Sequence, residues 1–164
     1  MVAGRLLADQ LLDGRRYRVL KLVDHFSRVS PALEAELSFP GKQVVAVLER
    51  VATTEGLPQA LYVDNGPEFI SKALDAWAHK NGVKLCFSRP GKPTDNAFIA
   101  SFNGKLRSEC LDQNRFASLA EAKEKLNVHR KEHNSERPHS ALDFQTPDQF
   151  LKNWQTKSEQ TKGN

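Results

Sequence analysis

The chain has 164 residues, of which 39% are hydrophobic and 27% are charged, with a net charge of +4. This length predicts one domain with a sizeable core, and the mild basicity is compatible with nucleic-acid binding without establishing it. No apolar run approaches the roughly 18 residues that span a bilayer. The two cysteines, Cys86 and Cys110, lack a CxxC pattern, which indicates reduced thiols in a cytoplasmic protein.

The N-terminal part of the chain predicts an antiparallel meander. Leu6–Leu12 is a candidate first strand, and Asp13-Gly14 is a hairpin-turn signal. Arg15–Asp24 alternates as a second strand. Val29–Phe39 predicts a third strand, in which Pro31 favours an edge position.

Strands and helices then alternate. The apolar residues of Lys42–Thr54 follow a helical period, Gln59–Val63 predicts a fourth strand, Ser71–Lys80 a second helix and Val83–Phe87 a fifth strand. Three antiparallel strands followed by strand–helix alternation predict an α/β fold. It is a ribonuclease-H-like mixed five-stranded sheet with helices on both faces.

The remaining segments predict a basic loop and three helices. Two prolines and a glycine exclude regular structure between residues 88 and 96. Helices are predicted over Ala97–Cys110, from Ser118 to about His133, and over Thr146–Trp154. We expect one core domain over residues 1–154, with an atypical or truncated first strand in residues 1–8, and a disordered polar tail over residues 155–164.

Asp64 stands where the predicted fourth strand ends. Apolar residues lead into it, and the following Asn65-Gly66-Pro67 cannot continue a strand. The strand would therefore deliver a carboxylate to the end of a sheet. Such a carboxylate is most often a turn cap or a metal ligand, and the local pattern leaves both open.

Four sets of residues form a wider pattern that covers nearly the whole chain beyond about residue 9. They are Val63–Phe69; Arg89–Ile99 with Ser101–Arg107 and Glu109–Leu111; Val23–Arg28; and Asn134 with Arg137–Leu142 and Thr146-Pro147. They resemble the DDE-type integrase core of bacterial insertion-sequence transposases. The resemblance implies a protein of DNA integration and transposition, in which two Asp and one Glu hold two Mg²⁺ or Mn²⁺ ions. Paired ions of this kind activate the attacking oxygen and stabilise the leaving oxygen in phosphodiester chemistry.

The sequence departs from this family at two of the three acidic positions. Asp64 matches the second, but Ala100 stands where the resemblance places the Glu, and Arg5 stands at the first Asp. Asp9 is about 13 Å along an extended strand from Arg5. Glu109 points to the opposite side of the predicted helix. We therefore expect Asp64 to be the only retained member and to bind metal weakly, if at all.

The resemblance also suggests residues around the site. Asp24 matches a family Asp outside the three and is expected in a second shell, where it could accept a hydrogen bond. A set of polar and basic residues is expected to contact DNA phosphates, with an ordinary solvated surface as the alternative: Arg89, Lys92, Asn103, Lys105 and Arg107.

These observations predict a transposase-like or integrase-core-like protein that is catalytically inactive as it stands. The alternatives are a non-catalytic DNA-binding or oligomerisation module derived from a transposase, and a product with no selected function. The predicted partner is the DNA backbone, at low sequence specificity, in the bacterial cytoplasm or nucleoid. A homodimer is also expected, because a truncated first strand would expose a sheet edge.

Overall fold

A computed structural model describes residues 1–88, 97–113 and 115–163. Its strands are β1 Val2–Gln10, β2 Arg16–Asp24, β3 Ala32–Glu36, β4 Ala60–Val63 and β5 Lys84–Phe87. Its helices are α1 Gly41–Glu55, α2 Lys72–Asn81, α3 Ala97–Leu106, α4 Leu119–Ser135 and α5 Pro147–Lys162. A π-helical turn, Arg107–Leu111, continues α3, and a 3-10 turn, Ser140–Leu142, precedes α5.

The strands form one mixed sheet in the order β3-β2-β1-β4-β5. The first three strands are antiparallel, whereas β4 is parallel to β1 and β5 is parallel to β4. β1 therefore lies at the centre, and the carboxyl end of β4 lies beside Gly4, near the start of β1. The predicted ribonuclease-H-like mixed sheet is confirmed.

The first strand is regular, in contrast to the prediction of a truncated or atypical segment over residues 1–8. β1 pairs with β2 along its whole length, from Val2 opposite Asp24 to Gln10 opposite Arg16. Its first residues also pair with β4. Small residues such as Ala3 and Gly4 give a weak strand signal, and pairing on both sides overrides it.

Helices cover both faces of the sheet, and side chains alternate between two buried clusters. The first cluster packs the sheet against α1 and α2 and includes Leu20, Leu22, Val44, Leu48, Leu61, Val63, Phe69, Leu74 and Trp77. The second lies under the π-helical turn and α4 and includes Tyr17, Val19, Leu33, Leu106, Cys110, Leu111, Phe116 and Leu126. The candidate site lies on the face of the second cluster.

The C-terminal helix is longer than predicted. α5 continues to Lys162, so residues 155–162, which the sequence predicts as part of a disordered tail, are helical. Thr146 accepts a hydrogen bond from the Gln149 backbone at 3.2 Å, Pro147 occupies the first turn, and the Lys-, Gln- and Glu-containing segment beyond has good helix propensity. In the described part of the chain, every helix is too short or too polar to cross a bilayer.

Candidate functional site

Asp64 lies directly after β4 and closes the turn that follows it. Its Oδ1 accepts a hydrogen bond from the Gly66 backbone N–H at 2.9 Å. Asn65 donates from Nδ2 to the Ser88 carbonyl at 2.8 Å, which ties the end of β4 to the end of β5. A Cβ at Gly66 would lie 2.9 Å from carboxylate oxygens of both Asp64 and Glu68, so a larger residue here would displace these two side chains. The turn-cap interpretation of Asp64 is therefore observed in the structure.

Arg5 lies beside Asp64. Gly4 is the register partner of Val63, so the next residue of β1 stands next to the residue that follows β4. The Arg5 Nε is 3.7 Å from the Asp64 Oδ2, and both side chains are partly exposed. A distance of 3.7 Å indicates an ion pair rather than a hydrogen bond. The position where the sequence predicts the first acidic ligand thus contacts Asp64, but with the opposite charge.

Lys21 is a second cation next to this pair. It is the cross-strand partner of Arg5, so both side chains point to the same face of the sheet. Lys21 is 0% exposed, and its Nζ has no hydrogen-bond partner within the described part of the chain. The Nζ lies 4.8 Å from the centre of the Phe102 ring. Burial, reinforced by the positive charges of Arg5 and Arg107, lowers the pKa of Lys21 to about 6.

Sequence reasoning assigned no role to Lys21, although one signal was present. In β2, the side chains of Tyr17, Val19 and Lys21 are at every second position and lie on the same face, the one that packs against α4. A lysine in phase with buried apolar residues is unusual, because charged groups are seldom fully buried without a partner. The alternation of side chains along β2 therefore places Lys21 in the interior. A lysine at such a position could have been identified from the sequence as a candidate functional residue.

The helix α3 and the turn after it bring three of the predicted DNA-binding residues to different environments. Lys105 is exposed. Arg107 is half-buried, and its Nη2 is 3.5 Å from the Ala8 carbonyl oxygen of β1. Asn103 is 9% exposed, and its Oδ1 has no partner among the described residues. The prediction that Asn103 contacts DNA does not agree with this burial, because its place in the helical period is next to Phe102 on the inner face.

Ala100 and Glu109, the two residues that the sequence analysis considers for the third acidic position, lie in α3 and in the turn after it. Ala100 is exposed in α3. Glu109 belongs to the π-helical turn, which replaces the last turn of the single helix predicted over Ala97–Cys110. Its carboxylate forms an ion pair with Arg137. A carboxylate held by a guanidinium in this way is a poor substitute for a missing metal ligand.

Asp24 lies away from the candidate site. It pairs in register with Val2, which packs against the first cluster, so Asp24 points to the opposite face from Arg5. Its Oδ2 accepts hydrogen bonds from the Ser27 backbone at 3.1 Å and the Ser27 hydroxyl at 2.7 Å. Its Oδ1 lies 3.7 Å from the N-terminal amine. These contacts make Asp24 the cap of the β2–β3 turn, which differs from the predicted second-shell role.

Two predicted DNA-binding residues, Arg89 and Lys92, lie outside the described residues.

The residues of this site do not fit a divalent metal ion. Mg²⁺ and Mn²⁺ require several hard oxygen ligands. Over residues 1–88, 97–113 and 115–163, no group of three or more His, Cys, Asp or Glu side chains could hold a metal. Asp64 has the Arg5 guanidinium beside it, Glu68 is held by Arg18, and the Lys21 amine is buried on the same face of the sheet as Arg5. The positive charge of Arg5 repels a cation.

The sheet order and the strand-end carboxylate define the class: this is a ribonuclease-H-like fold of the kind found in integrase catalytic cores. Two models of the integrase core domain match the chain, one over residues 7–93 and the other over residues 81–147. The chain belongs to the integrase core domain family.

Curated relatives come from bacterial insertion elements. The chain is 44% identical over 142 residues to the insertion element IS407 uncharacterized 31.7 kDa protein of Burkholderia multivorans, an alignment that covers 87% of this chain and 51% of that protein. It is 41% identical over 148 residues to the insertion element IS476 uncharacterized 39.2 kDa protein of Xanthomonas euvesicatoria, covering 90% and 43%. The chain thus spans about half the length of these curated relatives.

Solved structures show the same fold at low sequence identity. A chain of the simian T-cell lymphotropic virus intasome, solved in complex with the PP2A regulatory subunit B56 gamma, matches with a TM-score of 0.76 at 18% identity, covering 91% of this chain and 52% of that one. The catalytic core of BIV integrase matches with a TM-score of 0.70 at 14% identity, covering 95% and 97%. The HTLV-2 integrase core in complex with magnesium, in a trimeric form, matches with a TM-score of 0.64 at 16% identity, covering 91% and 93%.

Proposed function

We propose that this chain is an integrase core of the insertion-sequence transposase lineage that binds DNA without cutting or joining it. The observation on which the proposal rests is the 3.7 Å contact between Arg5 and Asp64. Arg5 occupies the place of an acidic ligand, and Ala100 has no side-chain oxygen to offer. One carboxylate with a fixed positive charge beside it gives a divalent ion neither enough ligands nor an attractive potential.

DNA binding is proposed from the charge and from the family. The chain has a net charge of +4. Lys105 is exposed on α3, Arg107 follows it, and Arg89 and Lys92 precede this helix in the sequence. Lysine and arginine side chains of this kind bind phosphates with little dependence on base sequence. Binding of this type places the protein on the nucleoid.

A nuclease assay tests the loss of chemistry. The purified chain is incubated with labelled duplex carrying the ends of a related insertion element, in Mn²⁺, and nicking and strand transfer are measured. We expect no product above that of Asp64→Ala. Robust activity that disappears in Asp64→Ala would contradict the proposal.

A binding assay tests the retained function. Duplex DNA binding is measured by fluorescence anisotropy in EDTA over a range of salt concentrations. We expect binding that persists without metal and weakens steeply with salt, because phosphate contacts release counterions. The absence of DNA binding at low salt would contradict this part and leave the family fold without a retained activity.

Self-association is the second candidate function. The HTLV-2 integrase core is described in both a dimeric and a trimeric form, and we propose that this chain also forms a homodimer. An exposed edge at the first strand does not support this dimer, because β1 is central and the sheet edges are β3 and β5. Sedimentation velocity between micromolar and millimolar concentration distinguishes a dimer from a monomer.

A further inference from the structure

Three basic side chains lie along β1, β2 and the π-helical turn on the face of the sheet where the family resemblance predicts acids. Arg5 and Lys21 are register partners on that face. Arg107 approaches β1 from the π-helical turn, with its Nη2 3.5 Å from the Ala8 carbonyl. The charges of both arginines act on Lys21, so the three groups share one electrostatic environment. We call Arg5, Lys21 and Arg107 the basic seam.

The guanidinium of Arg5 presents unused hydrogen-bond donors. Its Nε is the atom nearest to Asp64, at 3.7 Å, and over the described parts of the chain its Nη1 and Nη2 make no hydrogen bond. The side chain as a whole is 38% exposed to solvent. A guanidinium edge of this kind matches two oxygens of one phosphate. Arg5 can therefore hold an anion while it remains beside Asp64.

Lys21 is a buried amine that lacks a compensating partner. It is 0% exposed, and its Nζ has no hydrogen-bond acceptor among the described residues. A buried cation without a counter-charge is unfavourable. An anion held by Arg5 would add negative charge close to this amine and favour its protonated form. Once protonated in this way, Lys21 acts on the anion through its charge rather than by contact.

Negative charge on the same face is limited and is held in place. Asp64 is bound on one side by the Gly66 N–H and on the other by Arg5. Asp9 lies four residues further along β1, opposite Tyr17, and its Oδ1 accepts a hydrogen bond from the Gln10 backbone at 2.8 Å. An exposed ion pair such as Arg5–Asp64 contributes little to stability. It therefore offers little resistance to a second anion that approaches Arg5.

We propose that the basic seam binds a phosphate oxyanion directly, through Arg5, in the place where the family fold holds metal ions. The phosphate would be that of a DNA backbone, an assignment that rests on the proposed DNA-binding function. Arg5 then provides, as a covalently attached cation between Asp64 and a phosphate, the positive charge that a metal ion would bring.

Inorganic phosphate is the first probe. Its binding to the whole chain is followed by ¹H–¹⁵N NMR at constant ionic strength, with chloride as the balancing anion. We expect saturable shifts around Arg5 in the wild type, and a loss of affinity of about tenfold or more in Arg5→Gln, since a charge-assisted contact to phosphate is removed. The matched control is Arg16→Gln, which removes the same charge from the exposed start of β2. It should leave phosphate affinity unchanged.

A second variant separates the effect of the guanidinium geometry on phosphate affinity from the effect of its charge. Arg5→Lys keeps a positive charge but loses the two-pronged geometry, so it should also bind phosphate less tightly than the wild type. Circular dichroism of each variant confirms that the fold is retained. Absence of saturable phosphate binding by the wild type, or equal phosphate affinities of wild type and Arg5→Gln, would overturn the proposal.

Duplex DNA in EDTA is the second probe, and it separates this proposal from the proposed function. If both hold, Arg5→Gln lowers DNA affinity and reduces the slope of log affinity against log salt by about one. DNA binding that is unchanged in Arg5→Gln overturns the phosphate site and leaves the proposed function standing. Phosphate binding through Arg5 without any DNA binding supports the anion site and contradicts the proposed function.

Discussion

Replacing Lys21 by methionine should stabilise the protein. The side chain is fully buried, its amine has no hydrogen-bond partner within the described residues, and its pKa is lowered to about 6 from an ordinary 10.5. At about 1.4 kcal/mol per pKa unit, neutralising this amine at pH 7 costs about 5 kcal/mol. Methionine fills a similar volume without an amine. Since the surroundings relax around any buried charge, we expect Lys21→Met to raise the free energy of unfolding by about 2–5 kcal/mol.

The effect of Lys21→Met should depend on pH. The pKa of Lys21 is lower in the folded state than in the unfolded state, so between about pH 6 and pH 10 the unfolded chain binds more protons. The wild type therefore loses stability, relative to Lys21→Met, as the pH falls from 10 towards 6. Below about pH 6 both states are protonated, and the difference should level off.

Urea denaturation of both proteins at pH 6, 7.5 and 9 measures this difference. Lys84→Met is the control, because Lys84 is an exposed lysine on β5. It should change the free energy of unfolding by less than about 0.5 kcal/mol at each pH. A destabilised Lys21→Met, or a stabilisation that does not vary with pH, would refute the reasoning about the buried amine.

Two further stability predictions follow from local structure. Asn134→Ala should lower the free energy of unfolding by about 2–4 kcal/mol in urea denaturation. The buried Asn134 side chain accepts a hydrogen bond from the Ser30 backbone N–H at 2.8 Å and donates one to the Ser30 carbonyl at 3.0 Å. Asn127→Ala, at an exposed position, should change the free energy of unfolding far less, and equal losses in the two variants would contradict this reasoning. Gly104→Ala should raise the melting temperature, since the position is helical and a Cβ there meets nothing within 4 Å. Gly82→Ala should lower it by an amount equivalent to about 1 kcal/mol, because Gly82 ends α2 at φ +67°. A lowered melting temperature of Gly104→Ala, or a raised one of Gly82→Ala, would contradict this reasoning.

Much of the framework could be predicted from local signals. Ser118 caps α4 by accepting a hydrogen bond from the Glu121 backbone at 3.1 Å, and Glu121 reaches back to the Ala117 N–H, so the predicted helix start is confirmed. The strand that ends before Asp64 is confirmed as β4. Caps and strand ends depend on a few neighbouring residues, which is why sequence patterns identify them.

Other features depend on contacts that are distant in sequence. β1 begins at Val2 because β2 and β4 supply its hydrogen bonds, and its small residues gave little sign of this. The burial of Lys21 and Asn103 depends on how α3 packs against the sheet. Asp24 caps the turn because it bonds Ser27 and because its side chain points to the same face of β2 as Leu20 and Leu22, which pack into the first cluster.

The central claim is that Arg5 and Ala100 deny this fold its metal ions. The most direct test is a calorimetric titration of Mn²⁺ into the wild type, into Asp64→Ala, and into the double variant Arg5→Asp with Ala100→Glu. We predict no specific Mn²⁺ binding by the wild type or Asp64→Ala, and binding by the double variant, in which two restored carboxylates join Asp64 to give three. Stoichiometric Mn²⁺ binding by the wild type that is lost in Asp64→Ala would contradict the claim.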